Sequence, residues 1–216
     1  MNFQVALLVT LVGIVGSAPV SHKLDIMDKD TIAQAHSLIR KILEDIPTVH
    51  TAWIKSPSFT LGDNRELLLN FKEKMIPSAP VLQNISSSFS LETCLAQIVK
   101  GLQLHLNLLE EIRKSPMLVK TNQVMNLKAE IEDLLFQIKE LQNQAEFDSQ
   151  QESGKQSQTD VAKHLTNEYV TSVAAHLTLQ QLQDFSYDVL RSILSMAPIS
   201  ENTTTPMQLW VNAAGV

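Results

Sequence analysis

Cysteine is almost absent: Cys94 is the only one in 216 residues, so no intrachain disulfide can form. The fold must then stand on its apolar core, which a chain of about 200 residues is long enough to bury. Aromatic residues are scarce too, at 5% against 44% hydrophobic overall, which makes that core aliphatic. Glycine numbers only 6, and no glycine-rich phosphate loop occurs. Positive charge has neither an excess nor a cluster: 17 Lys and Arg face 23 Asp and Glu, a net charge of −6 with the signs mixed. That argues against nucleic acid, whose affinity comes largely from Lys and Arg on phosphate. Runs long enough to cross a membrane are missing as well. The most apolar stretch, Val5–Val15, covers about 11 residues where a span needs about 20.

That stretch has another reading. Small residues follow it at Gly16, Ser17 and Ala18, the pattern of a secretory signal peptide, although no Lys or Arg precedes it. The expectation is cleavage near Ser17 or Ala18, with a buried N-terminal strand as the alternative. The organisation expected is a signal peptide over 1–18, one domain over 19–197 and a flexible tail over 198–216. Behind a leader, two sequons become credible glycan acceptors: Asn84-Ile85-Ser86 and Asn202-Thr203-Thr204.

Four segments carry helical periodicity. In the first, about Lys29 to Ile46, Ile32, Ala35, Ile39, Ile42 and Ile46 recur at spacings of three and four, Asp28 or Asp30 caps the start and Pro47 stops it. The second, about Leu91 to Lys114, is capped by Ser90 and ended by Ser115-Pro116. The third runs from about Leu118 to Ala145 on Val124, Leu127, Ile131, Leu134, Ile138 and Leu141. The fourth runs from about Val161 to Met196, with a phase break between Leu177 and Leu182 that suggests a bulge or kink. The second and third segments are separated by a few residues, too few to return along a helix, so these two must be antiparallel. Long links before and after them favour an all-α, long-chain four-helix bundle of up-up-down-down layout over an ordinary up-down bundle with decorated loops.

Chemistry of the enzymatic kind finds no support. Cys94 and His105 share one helix at a separation of about 16 Å, so they cannot pair as nucleophile and base. Cys94 reads as a small residue at the core edge, and His105 as a satisfied core or edge histidine. The six histidines form no His-x3-His pair, so neither a metal nor any other cofactor is expected. Glu110-Glu111 reads as a solvated acidic face.

The second helix also carries a signature. Cys94, six residues, Gly101-Leu102, two residues, His105, three residues and Leu109 resembles the pattern of the family of interleukin-six, granulocyte colony-stimulating factor and avian myelomonocytic growth factor. There an aromatic stands at the position of His105. Ile76-Pro77-Ser78-Ala79-Pro80 and Ser186-Tyr187-Asp188-Val189-Leu190-Arg191 are similar to segments of the colony-stimulating-factor branch. The order holds from about Ile39 to Arg191. Asn84 stands where the family partner of the Cys94 position would be, and the second family disulfide is missing, so the loop staples of relatives are absent.

The resemblance implies a secreted, extracellular cytokine that clusters class I receptors and stimulates granulocyte and myeloid growth. It implies a main receptor surface on the first and third helices, through Arg40, Lys41, Glu130 and Asp133, with Ser37 in place of an acid. A second surface would use Glu66 in the first crossover. An interleukin-six-type ligand is the nearest alternative, and a secreted amphipathic lipid carrier a further one.

Overall fold

The computed structural model describes residues 27–54, 58–62, 66–83, 90–119, 121–147 and 160–196. The leader, both sequons and the tail lie outside the described residues. The described chain is all-α, with five α-helices, one 3-10 helix and no strand. The helices are α1 (Lys29–Trp53), α2 (Glu66–Met75), α3 (Leu91–Lys114), α4 (Asn122–Gln144) and α5 (Glu168–Met196), with the 3-10 helix (Asp160–His164) before α5.

Local signals set several of these bounds. The Asp28 carboxylate accepts from the Thr31 N–H at 2.9 Å, and the Ser90 hydroxyl accepts from the Thr93 N–H at 3.1 Å. Each satisfies an amide that has no intrahelical partner. Helix α4 closes through two reverse bonds, Glu146 N–H to the Asn143 carbonyl at 3.0 Å and Phe147 N–H to the Gln142 carbonyl at 3.1 Å. This closure places Glu146 at φ 51°, a left-handed position usually held by glycine.

Several expectations are corrected. Pro47 does not stop α1, which continues for six more residues to Trp53. Proline inside a helix costs about 3 kcal/mol. Beyond it Val49, His50 and Trp53 are buried, continuing the stripe of Ile39, Ile42 and Ile46, and two such apolar side chains alone offset that cost. Helix α5 starts at Glu168 and not Val161. The Asn167 side chain accepts from the Val170 N–H at 3.0 Å, and the residues before it form the separate 3-10 helix. Helix α5 runs through Leu177 and Leu182 as α-helix without a π-turn, and it is buried on almost every face from Val173 to Leu179. The stripe changes phase because α5 has neighbours on several sides: α1, α2, α3 and the 3-10 helix. Helix α2 was not anticipated in the first crossover. Leu68 and Met75, seven residues apart, hold it against the core.

One core joins these elements. Helix α1 packs on α4 and α5, and α3 packs on the same two. Cys94 is not at the core edge but fully buried, with its thiol against Ser192, and burial pushes that thiol above its ordinary pKa. Gly101 lets α5 approach closely: a Cβ there would lie 2.6 and 2.7 Å from two ring carbons of Phe185. Phe185 in turn stacks on His105 at 5.3 Å and 30°. His105 is wholly buried, with Nδ1 2.7 Å from the Gly101 carbonyl oxygen. Burial pushes its pKa down to about 4; the Gly101 carbonyl and, least of all, Gln181 work in the other direction. Glu110 is not simply solvated. It accepts from Arg113 and Lys128 and forms an ion pair with Lys114, tying the end of α3 to the start of α4. Those contacts hold its pKa at about 2, with the Arg113 bond the largest cause.

Candidate partner-binding face

The stripes that build the core decide which charges meet outside it. Ile39 and Ile42 point α1 inward, which leaves Arg40 and Lys41 on its outer side, both exposed. On α4, Ile131 and Leu134 are fully buried, so Glu130 falls at the seam with α1 and Asp133 faces outward. The packing therefore joins two of the receptor-contact candidates to each other. The Lys41 ammonium donates to Glu130, and at 3.0 Å to Asp45 one turn along α1.

This triad is asymmetric. The Lys41 side chain is 56% exposed and that of Glu130 only 11%. The second carboxylate oxygen of Glu130 is buried without a hydrogen-bond partner among the described residues. The two partners disagree about what the contact is worth. The Lys41 pKa rises because Glu130, then Asp45, bonds its charged form. The Glu130 pKa also rises, because burial disfavours its charge by more than Lys41 restores. The burial effect decides, since nearly the whole Glu130 side chain is covered. Ion pairs of this kind add little net stability. Glu130 is thus a seam residue and not a free acid offered to solvent.

Around the triad, Ser37, Arg40 and Glu44 are exposed on α1, and Glu132 and Asp133 on α4. Neither Arg40 nor Asp133 holds an ion pair with a described residue. Sequence reasoning missed Phe136, which is 65% exposed and lies one turn past Asp133. The signal was available: Phe136 sits midway between Leu134 and Ile138, on the side opposite the apolar stripe. Met125, 47% exposed, shares its row through Ala129 and Glu132. These two side chains start about 16 Å apart along the helix.

Glu66 is the first residue of α2, which rests on α5 and the 3-10 helix. It therefore belongs to a different set of elements from the α1–α4 face. Among the described residues no cluster of three His, Cys, Asp or Glu could hold a metal ion. No described helix is long and apolar enough to cross a membrane. Comparison with protein-family models and with curated proteins gives no match.

Proposed function

We propose that this chain is a secreted ligand of the four-helix cytokine type, laid out up-up-down-down, that binds and clusters class I cytokine receptors. Contacts between helices support the layout. The Asp28 N–H donates to the Gln144 side chain at 2.8 Å, so the start of α1 meets the end of α4. His50 meets His176, joining the end of α1 to the first part of α5. Glu110 meets Lys128, and Cys94 meets Ser192 while Gly101 meets Phe185, in the same reversed sense for α3 with α4 and α5. Two helices that each oppose the same pair run parallel to each other. Ile54 and Ser90, like Ala145 and Asn167, then lie at opposite ends of the bundle, the arrangement of long crossovers in cytokine bundles.

A fold leaves function open, so the partner must be argued from a site. The observation that carries the receptor reading is the outward side of α4 next to the α1 seam, where exposed Phe136 has Glu132 and Asp133 within one turn before it and Lys139 one turn after it. Exposed aromatics at the centre of a polar rim are the usual anchors of protein interfaces. The step from such a face to a class I receptor, and to granulocyte and myeloid growth, comes from the sequence resemblance. Lys41 and Glu130 would set the register of the face, leaving Arg40, Asp133 and Phe136 to make the contact. Glu66 on α2 would touch a second receptor. Secretion, and glycosylation at Asn84 and Asn202, belong to the same reading.

Binding to immobilised receptor ectodomains tests it. Phe136→Ala should weaken first-receptor binding at least about tenfold, the loss of one interface anchor. Arg40→Glu should weaken it in the same assay. Glu66→Arg should keep that binding but lower signalling. Lys41→Glu is a poor probe, because it would leave Glu130 buried beside a like charge. If folded Phe136→Ala and Arg40→Glu both bind as the parent does, the face is not the contact.

A further inference from the structure

At the other end of α1 lies a group that no receptor surface uses. His50, in the last turn of α1, brings Nε2 to 2.9 Å from Nδ1 of His176 on α5. Their rings meet edge to face at 5.2 Å and 72°, His176 fully buried and His50 nearly so. Phe59, from the chain just after α1, stacks on His176 at 5.2 Å and 24°. Tyr169, half-exposed on the first turn of α5, reaches Phe59 at 6.0 Å. The crossover is thus fastened to α5 through one imidazole, and α1 to α5 through the bond between two.

That bond depends on protonation. A neutral imidazole has one N–H and one lone pair, so one ring donates and the other accepts. A first added proton leaves an N–H facing a lone pair but puts charge into a nearly dry site. A second makes both facing nitrogens donors, with two like charges 2.9 Å apart, and the bond is lost.

Most other described ionisable groups at this end of the packed elements are exposed or already paired. The last acid of α1 is Asp45, held by Lys41. On α5, Glu168 and Tyr169 are exposed in the first turn, and on α2 so are Glu73 and Lys74. On the 3-10 helix, Lys163 pairs with Asp160, and His164 is exposed. At the end of α3, Glu110 is occupied by Arg113, Lys114 and Lys128, the last being the first described charge of α4, and Glu111 stands half-buried beside it. Burial alone moves His50, and it moves it below the ordinary imidazole value.

We propose that the His50–His176 pair is an acid-sensitive latch that fastens the α1–α2 crossover to α5 and opens when both rings are protonated. Opening frees Phe59 and the last turn of α1 while the rest of the core stays packed. Because Glu66 begins α2 on that crossover, acid would also disturb the second proposed receptor contact. That consequence rests on the receptor reading; the latch does not.

Trp53, buried three residues after His50, reports on it. With Trp210→Phe, Trp53 is the single tryptophan of the full chain. Acrylamide quenching of Trp53 from pH 7.5 to 5 should rise at least twofold, reversibly, while far-ultraviolet circular dichroism stays constant. His50→Gln and His176→Gln should each abolish or shift that transition, and His105→Phe should leave it in place. Wild-type hydrogen exchange needs no variant: the protection factors of Trp53 and Ile54 should fall at least tenfold from pH 7 to 5, while those of Leu134 and Ile138 hold. Constant quenching and constant protection overturn the latch. So does a transition that survives in both glutamine variants, or one in which helix content falls in step.

Discussion

Gly101→Ala should destabilise the protein, although alanine is the better helix former. The added Cβ would sit 2.6 and 2.7 Å from two Phe185 ring carbons, where carbon contacts normally lie at about 3.5–4.0 Å. The Phe185 Cζ would lie closer still, so the ring would have to retreat by more than about 1 Å. It has little room, being buried and stacked on His105. Overpacking of this kind costs about 1–3 kcal/mol. Helix propensity returns about 1 kcal/mol, so the net loss should be about 1 kcal/mol. In urea that is a fall in midpoint of about 0.5 M, read by circular dichroism. In a Phe185→Leu background the clash is gone, and Gly101→Ala should become neutral or stabilising. The double-mutant cycle should then return a coupling of about 1–3 kcal/mol. A higher midpoint for Gly101→Ala in the parent, or a coupling within about 0.5 kcal/mol of zero, would refute the close-approach argument.

Acid should weaken the fold through His105. Between pH 6.5 and about 4 the unfolded chain binds a proton that the buried ring refuses, so stability is full above 6.5 and falls as pH drops, by about 3 kcal/mol in all. His105→Phe should remove that part of the pH slope in urea titrations at pH 7 and 5; an unchanged slope contradicts the burial argument. Cys94 should resist a thiol reagent in the native protein and react once unfolded in urea, because its thiol is buried with a raised pKa. Cys94→Ala should cost about 1 kcal/mol, and native-state labelling at the unfolded rate would disprove the burial. Glu146→Gly should stabilise by about 1 kcal/mol, since glycine takes the left-handed closure of α4 without the side-chain penalty. A lower thermal midpoint in that variant would show that Glu146 contributes something the backbone geometry does not reveal.

Much of this architecture is legible in the chain itself, because helix signals are local. Ser90 and the stripe from Leu91 to Ile112 fix α3 almost to the residue. The stripes of α1 and α4 name their buried faces correctly, because a face depends only on spacings of three and four. Composition and the single cysteine already require an aliphatic core without staples. Tertiary structure decided the rest. Whether Pro47 ends α1 depends on what Val49 and Trp53 can bury beyond it, and the phase break after Leu177 reflects how many neighbours surround α5. The candidate site divides in the same way. Arg40 and Asp133 stay outward as the stripes imply, but Lys41 and Glu130 meet across 89 residues and His50 and His176 across 126. Periodicity carries no information on such pairs, because each is fixed by the register at which two separately amphipathic helices settle against a shared core.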